Sequence, residues 1–165
     1  MLFRSIEVLL DDTKLIMDSS KMTGSFYELH VPANTFNGKH VFAIMNEEKK
    51  IYEEAFSYYP LIINSAIPES ITRDECIIDL DEHANENAVR IVLTDTVFEN
   101  DGINEIDTIR NGQIIIDRAA LQSVASGPVQ LELILENHKQ LSESPSGEGR
   151  LLINYSVKRS FILQD

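Results

Sequence analysis

Tryptophan is missing from this chain of 165 residues, cysteine occurs once, and basic residues are scarce. A single cysteine permits no intrachain disulfide, so cysteine pairing says nothing about the redox compartment. Cys76 alternates with Ile78 and Leu80, the position of a buried structural thiol rather than of a nucleophile. Fourteen lysines and arginines stand against 27 acidic residues, a formal charge of −13. That balance repels phosphate backbones and anionic lipid headgroups unless a basic patch overrides it. No patch is evident: Lys158 and Arg159 lie inside a strand-like run, and Lys49 and Lys50 are flanked by Glu47, Glu48, Glu53 and Glu54. Nucleic acid is therefore not an expected partner. Long hydrophobic runs are also lacking, none approaching the roughly 20 residues of a membrane-spanning helix. The opening MLFRSIEVLLDDTK is broken by Arg4, Ser5 and Glu7 and has no small-residue cleavage site, so it does not read as a secretory signal. Taken literally that places the chain in the cytoplasm. Strand-like alternation begins almost at once, at Ile6, Val8 and Leu10, as it would if an export segment had been trimmed.

What is present is an ordinary globular composition, 43% hydrophobic and 25% charged, of a length suited to one well-filled domain over residues 1–165. The segment Pro68 to Asp74 (PESITRD) is the only candidate internal boundary. Period-two alternation predicts strands at Ile6–Leu10, Phe26–Val31, Lys39–Met45, Leu61–Ile67, Cys76–Leu80, Val89–Asp95, Gln113–Ile116, Val129–Glu136 and Arg150–Leu163. Asn37-Gly38 and Asn111-Gly112 tolerate positive φ and predict tight turns. Pro32, Pro60, Pro68 and Pro128 fall at strand ends, where a missing N–H does least harm. One short helix is predicted over Asp117–Ala125, capped by Asp117 and stopped by Gly127-Pro128. Asn46–Phe56 fits a helix and a hairpin loop followed by a strand about equally.

The clearest signal is at the C-terminus. Leu151, Ile153, Tyr155, Val157, Phe161 and Leu163 share one face of a long strand. Val129, Leu131, Leu133 and Leu135 share a face of its partner, and Ser144–Gly149 is turn chemistry, so the two form an antiparallel hairpin. Arg159 interrupts the apolar face, which predicts that the strand passes the end of the core there, that Arg159 pairs with a carboxylate, or that a bulge flips the register. Nine short strands with turns every ten or so residues favour an all-β sandwich over a barrel. The succession NGQIIID, Ala120-Leu121, SGPVQLELILE and GRLLINYSVKRSFIL resembles the closing half of immunoglobulin-like β-sandwich modules in Bacteroides-group surface and periplasmic lipoproteins. The features shared are the G-x-I-x-I strand, a crossover ending in G-P, the V-x-L-x-L strand and a terminal Y-x-V-x-R-x-F strand, over about a third of the chain. The resemblance implies an antiparallel immunoglobulin-like sandwich with one short helical crossover. It also implies a non-catalytic module of an exported cell-envelope protein; the expected function is binding, with protein or glycan partners at loops or edge strands and no cofactor.

Candidate chemistry is sparse. DTVFENDGINEID gathers Asp95, Glu99, Asp101, Asn104 and Asp107, a density of hard oxygen donors that could hold calcium. It is not an EF-hand, because setting Gly102 at the invariant glycine puts Val97 and Thr108 at ligand positions. Otherwise it is a solvated acidic loop. A second cluster, Asp79, Asp81, Glu82, His83, Asn85 and Glu86, lies at the opposite end of the intervening strand, about 20 Å away, and reads as an exposed turn. Tyr52, Tyr58 and Tyr59, with Phe56, are the only place for a sugar-stacking platform; otherwise they serve the core. His30 and His40 bracket a turn without a third metal ligand. G-x-S-x-G, H-E-x-x-H, C-x-x-C and phosphate-cradling glycine loops do not occur. A hydrolase built on loop carboxylates stays as a distant third reading, since acidic residues are too abundant for any pair to be informative.

Overall fold

A computed structural model describes residues 6–20, 24–32, 35–84, 87–97, 102–143 and 149–165. The chain is 59% strand with one short α-helix, which meets the all-β expectation; its sheets are largely antiparallel and one of five strands curls into a half-barrel. Two compact units form, residues 1–60 with 138–152 and residues 61–137 with 153–165. The Pro68–Asp74 segment lies inside the second unit.

In the first unit β1 (Glu7–Leu10), β2 (Thr13–Lys14), β5 (Gly38–Met45) and β6 (Ile51–Tyr58) form a sheet in the order β2-β1-β5-β6, while β3 (Ile16–Ser20) and β4 (Gly24–Glu28) form a separate ladder. Asp11 and Asp12 join β1 to β2 at φ 48 and 61, a left-handed pair that Asp tolerates better than most side chains. Between β5 and β6 the Asn46 side chain accepts hydrogen bonds from the N–H groups of Glu48 and Lys50, and Lys49 takes φ 59. That Asn-built turn decides Asn46–Phe56 in favour of a hairpin: Tyr52, Glu54, Phe56 and Tyr58 then share one half-buried face of β6.

In the second unit the strands are β7 (Ser70–Ile71), β8 (Cys76–Asp79), β9 (Ala88–Asp95), β10 (Ile103–Thr108), β11 (Gln113–Ile116), β12 (Gly127–Gln140) and β13 (Arg150–Leu163), with α1 (Arg118–Gln122) between β11 and β12. The five-stranded sheet runs β10-β9-β12-β13-β7, and β8 pairs with β11. β7 alongside β13 is a parallel pair. β13 has the boundaries its alternation predicts, and β12 is longer than its apolar run because Asn137–Gln140 continue the ladder exposed. Asn111 and Gly112, at φ 53 and 70, form the predicted tight turn. Asp117 caps α1 by accepting Ala120 N–H at 2.7 Å.

One core serves this unit. Val89, Ile91 and Leu93 of β9, Leu131 and Leu133 of β12, Ile78 of β8, Ile114 and Ile116 of β11, and Leu121 of α1 are at most 1% exposed and belong to a single cluster. Arg73 pins its edge, donating to the carbonyls of Leu121 in the last turn of α1 and of Val124 beyond it, and to Ser126 and Asp165. Cationic donors suit a helix C-terminus. Arg159 is exposed and donates to the Lys158 carbonyl, while Lys158 pairs with Glu132 at 3.1 Å. One strand expectation and one loop expectation are corrected. Leu61–Ile67 makes one isolated bridge, Ile63 to Leu80, because Pro60 and Pro68 confine it and its Ser65 hydroxyl takes the Asp79 N–H. The acidic stretch before Asp107 includes strand β10 rather than being a loop throughout.

Candidate functional site

The acidic residues of β9 and β10 are separated by their register. Asp95 ends β9 on the core-facing side, 8% exposed. Its Oδ1 accepts Val97 N–H at 2.9 Å and its Oδ2 accepts Ala125 N–H at 2.8 Å, the pairing a buried carboxylate needs. Asn104 lies opposite Val92 and accepts from Arg90 at 3.2 Å. Asp107 lies opposite Val89, six positions along β9 from Asp95, or about 20 Å; its Oδ1 accepts Thr108 N–H. Asp95 and Asp107 are thus held apart, and Glu99 and Asp101 lie outside the described residues. Among the described residues no group of three or more His, Cys, Asp or Glu side chains could hold a metal ion. Gly102, which precedes β10, has φ 65, and a Cβ there would come within 2.3 Å of the Leu93 carbonyl oxygen, so only glycine lets the chain turn back this closely.

The tyrosines do not share one flat face. Tyr52 and Tyr58 project from the same side of β6 but six residues apart, about 20 Å. Tyr58 packs its ring 5.0 Å from Phe36, Lys50 Nζ sits 4.6 Å over the Tyr52 ring, and Tyr59, the next residue, is 43% exposed. Stacking on a single sugar ring could use one of these positions, not all three.

A pair that sequence spacing conceals is Asp11 with His40, 29 residues apart. Asp11 accepts from Val41 N–H at 2.9 Å through Oδ1, and Oδ2 lies 2.6 Å from His40 Nδ1. The His40 bond, then the Val41 N–H, hold the Asp11 carboxyl below the usual carboxylate range. His40 is 8% exposed, its ring stacked 3.9 Å from Phe36 and tilted 5.5 Å from Phe56. Among the described residues no polar group meets its Nε2. The imidazole therefore ties the β1–β2 turn to β5 beneath an aromatic lid. His30 is apart from this, exposed and 3.6 Å from Glu28.

In the second unit a polar cleft of about 620 Å³ is lined by Asn64, Asp79, Leu80, Glu82, Asn111 and Gly112. Asp79 Oδ1 accepts from Gln113 Nε2 at 2.8 Å. Asp81 turns away to His83, whose N–H and ring lower its pKa below the ordinary value, the N–H most. Two of these lining residues, Asp79 and Glu82, were visible in the Asp79–Glu86 cluster; the Asn111-Gly112 turn joins through the pairing of β8 with β11, and Asn64 through its N–H to the Asp79 carbonyl. Cys76 is buried, and burial pushes its thiol pKa up, which suits a packing role.

No protein-family model matches the chain, and no curated protein matches its sequence. Among the described residues no helix is long and apolar enough to cross a membrane.

Proposed function

We propose that the chain is a non-enzymatic interaction module of a bacterial cell-envelope protein, whose second unit is an immunoglobulin-like sandwich that meets a protein partner through edges and loops. Strand order carries this reading. In immunoglobulin-type sandwiches C′, C, F and G lie side by side in one sheet, and B pairs with E in the other. Here β10, β9, β12 and β13 lie side by side in that order, and β8 pairs with β11. Taken along the chain, β7 to β13 then read A, B, C, C′, E, F and G, with α1 in the E–F connection. The shared core between the five-stranded sheet and the β8–β11 ladder supports the same layering. Such a scaffold hosts many functions, so binding rests on what it leaves open. The polar side chains nearest the candidate sites support this, since Asp95, Asp79 and Asp81 are engaged in holding local backbone or neighbouring side chains. The envelope assignment rests on the C-terminal motifs.

Expression of the complete natural gene in its source organism, followed by fractionation and in-cell crosslinking, tests the reading. Recovery in the envelope fraction, crosslinked to another protein, is expected. A monomeric cytosolic protein would contradict it. Sugar binding keeps one supporting feature, the exposed Tyr59 ring. With no tryptophan to mask it, tyrosine fluorescence should change on titration with oligosaccharides under that alternative and stay flat under ours.

A further inference from the structure

Sheet edges present N–H and C=O groups that another strand can take up. The two larger sheets end in β2, β6, β7 and β10. β2 and β7 are two residues long, too short to template a partner. β6 is longer, but Lys139 Nζ donates to its Ala55 carbonyl and Ser142 to its Glu54 carboxylate, so that edge is occupied. β10 has six residues and, among the described residues, pairs with β9 alone.

The register identifies its open backbone groups. Ile109 N–H donates to the Asn87 carbonyl, and bonded pairs in an antiparallel ladder recur at every second residue. Ile103, Glu105 and Asp107 therefore turn their backbone groups toward β9, and Asn104, Ile106 and Thr108 turn theirs outward. Thr108 N–H is taken by Asp107 Oδ1 at 2.7 Å. Among the described residues, both groups of Asn104 and Ile106, and the Thr108 carbonyl, are left for an added strand.

The side chains specify what kind of strand fits. Ile106 is 61% exposed on one face of the sheet. Glu105, exposed, and Asp107, half-buried, lie on the other face in register with Ile91 and Val89. The chain's charge of −13 adds attraction for a cation at longer range. The geometry points to β10 as an acceptor edge for an extended segment of another protein in which lysine or arginine alternates with apolar residues. Its basic side chains meet Glu105 and Asp107, an apolar one covers Ile106, and main-chain hydrogen bonds supply the affinity. This rests on the interaction-module reading and names its surface.

The test uses a short capped peptide of alternating lysine and valine, titrated into the isotope-labelled full chain. Two control peptides accompany it, one with the same residues in blocks and one N-methylated at alternate amides. Saturable binding with new hydrogen-exchange protection at Asn104 and Ile106 is expected, and both controls should bind about tenfold or more weakly. The double variant Glu105→Lys with Asp107→Lys should lose about as much while melting as the parent does. Equal binding of either control means diffuse charge attraction and overturns the proposal, as do protection elsewhere, no binding, or carboxylates that merely guard the edge, seen as unchanged affinity in the double variant. In cells, a crosslinked complex that survives the double variant overturns the β10 assignment and leaves the module reading standing; no complex with either protein overturns both.

Discussion

β12 and β13 each carry an alternating apolar run, and the two units bury their parts of these strands differently. In the second unit Val129, Leu131, Leu133 and Leu163 are at most 2% exposed. In the first, Leu151 is half-buried and Leu152 is 52% exposed. Among the described residues Val8 is the first unit's only buried aliphatic side chain, beside the buried His40, whereas the second unit has a continuous cluster. Alternation writes a strand; a core needs a second apolar layer against it. The second unit brings β8, β11 and α1 to that layer. The first relies on ladders, the Phe36–His40 stack and polar ties such as Asp11–His40 and Glu54–Lys139.

The contrast is sharpest in core truncations. Leu133→Ala should cost about 2–5 kcal/mol in urea unfolding, because its side chain is fully buried. Val8→Ala should cost about 1–2 kcal/mol, and equal losses would erase the distinction. Arg73→Ala should cost about 2 kcal/mol, since its guanidinium satisfies two carbonyls and is 21% exposed. The thermal midpoint reports that loss, and a lysine in its place should recover only part. Asp117→Ala should remove about 1 kcal/mol through the lost α1 cap, with asparagine restoring most of it. The smallest effect belongs to the first unit. Lys139 chiefly, with Ser142, lowers the Glu54 carboxyl from 4.5 to about 2. Because the folded pKa is depressed, the contribution is complete above pH 4.5 and fades as pH falls toward about 2. Glu54→Gln should lower stability slightly above pH 4.5, leave it little changed near pH 2, and so flatten that part of the acid-stability curve.

Much of the second unit was legible because its strands bury one face, which forces period two upon β8, β9, β11, β12 and β13. β10 escaped for the opposite reason. An edge strand has a neighbour on one side only, so Asn104, Glu105 and Asp107 can be polar on both faces, and the acidic run looked like a loop. β6 was ambiguous because Glu53 and Glu54 dilute its apolar alternation, and the turn before it uses Lys49 where glycine would have signalled positive φ. The candidate sites were less legible. Asp95 was identifiable as acidic but not as buried, and the Asp11–His40 pair depends on the β1–β5 register, which no local spacing encodes.

Residue-resolved native-state hydrogen exchange on the intact chain tests the division most directly. Amides of β9 and of Val129–Leu135 in β12 should exchange only through global unfolding, and those of β1, β5 and β6 through openings of lower free energy. A single protection level across both sets, falling together with denaturant, would contradict the account.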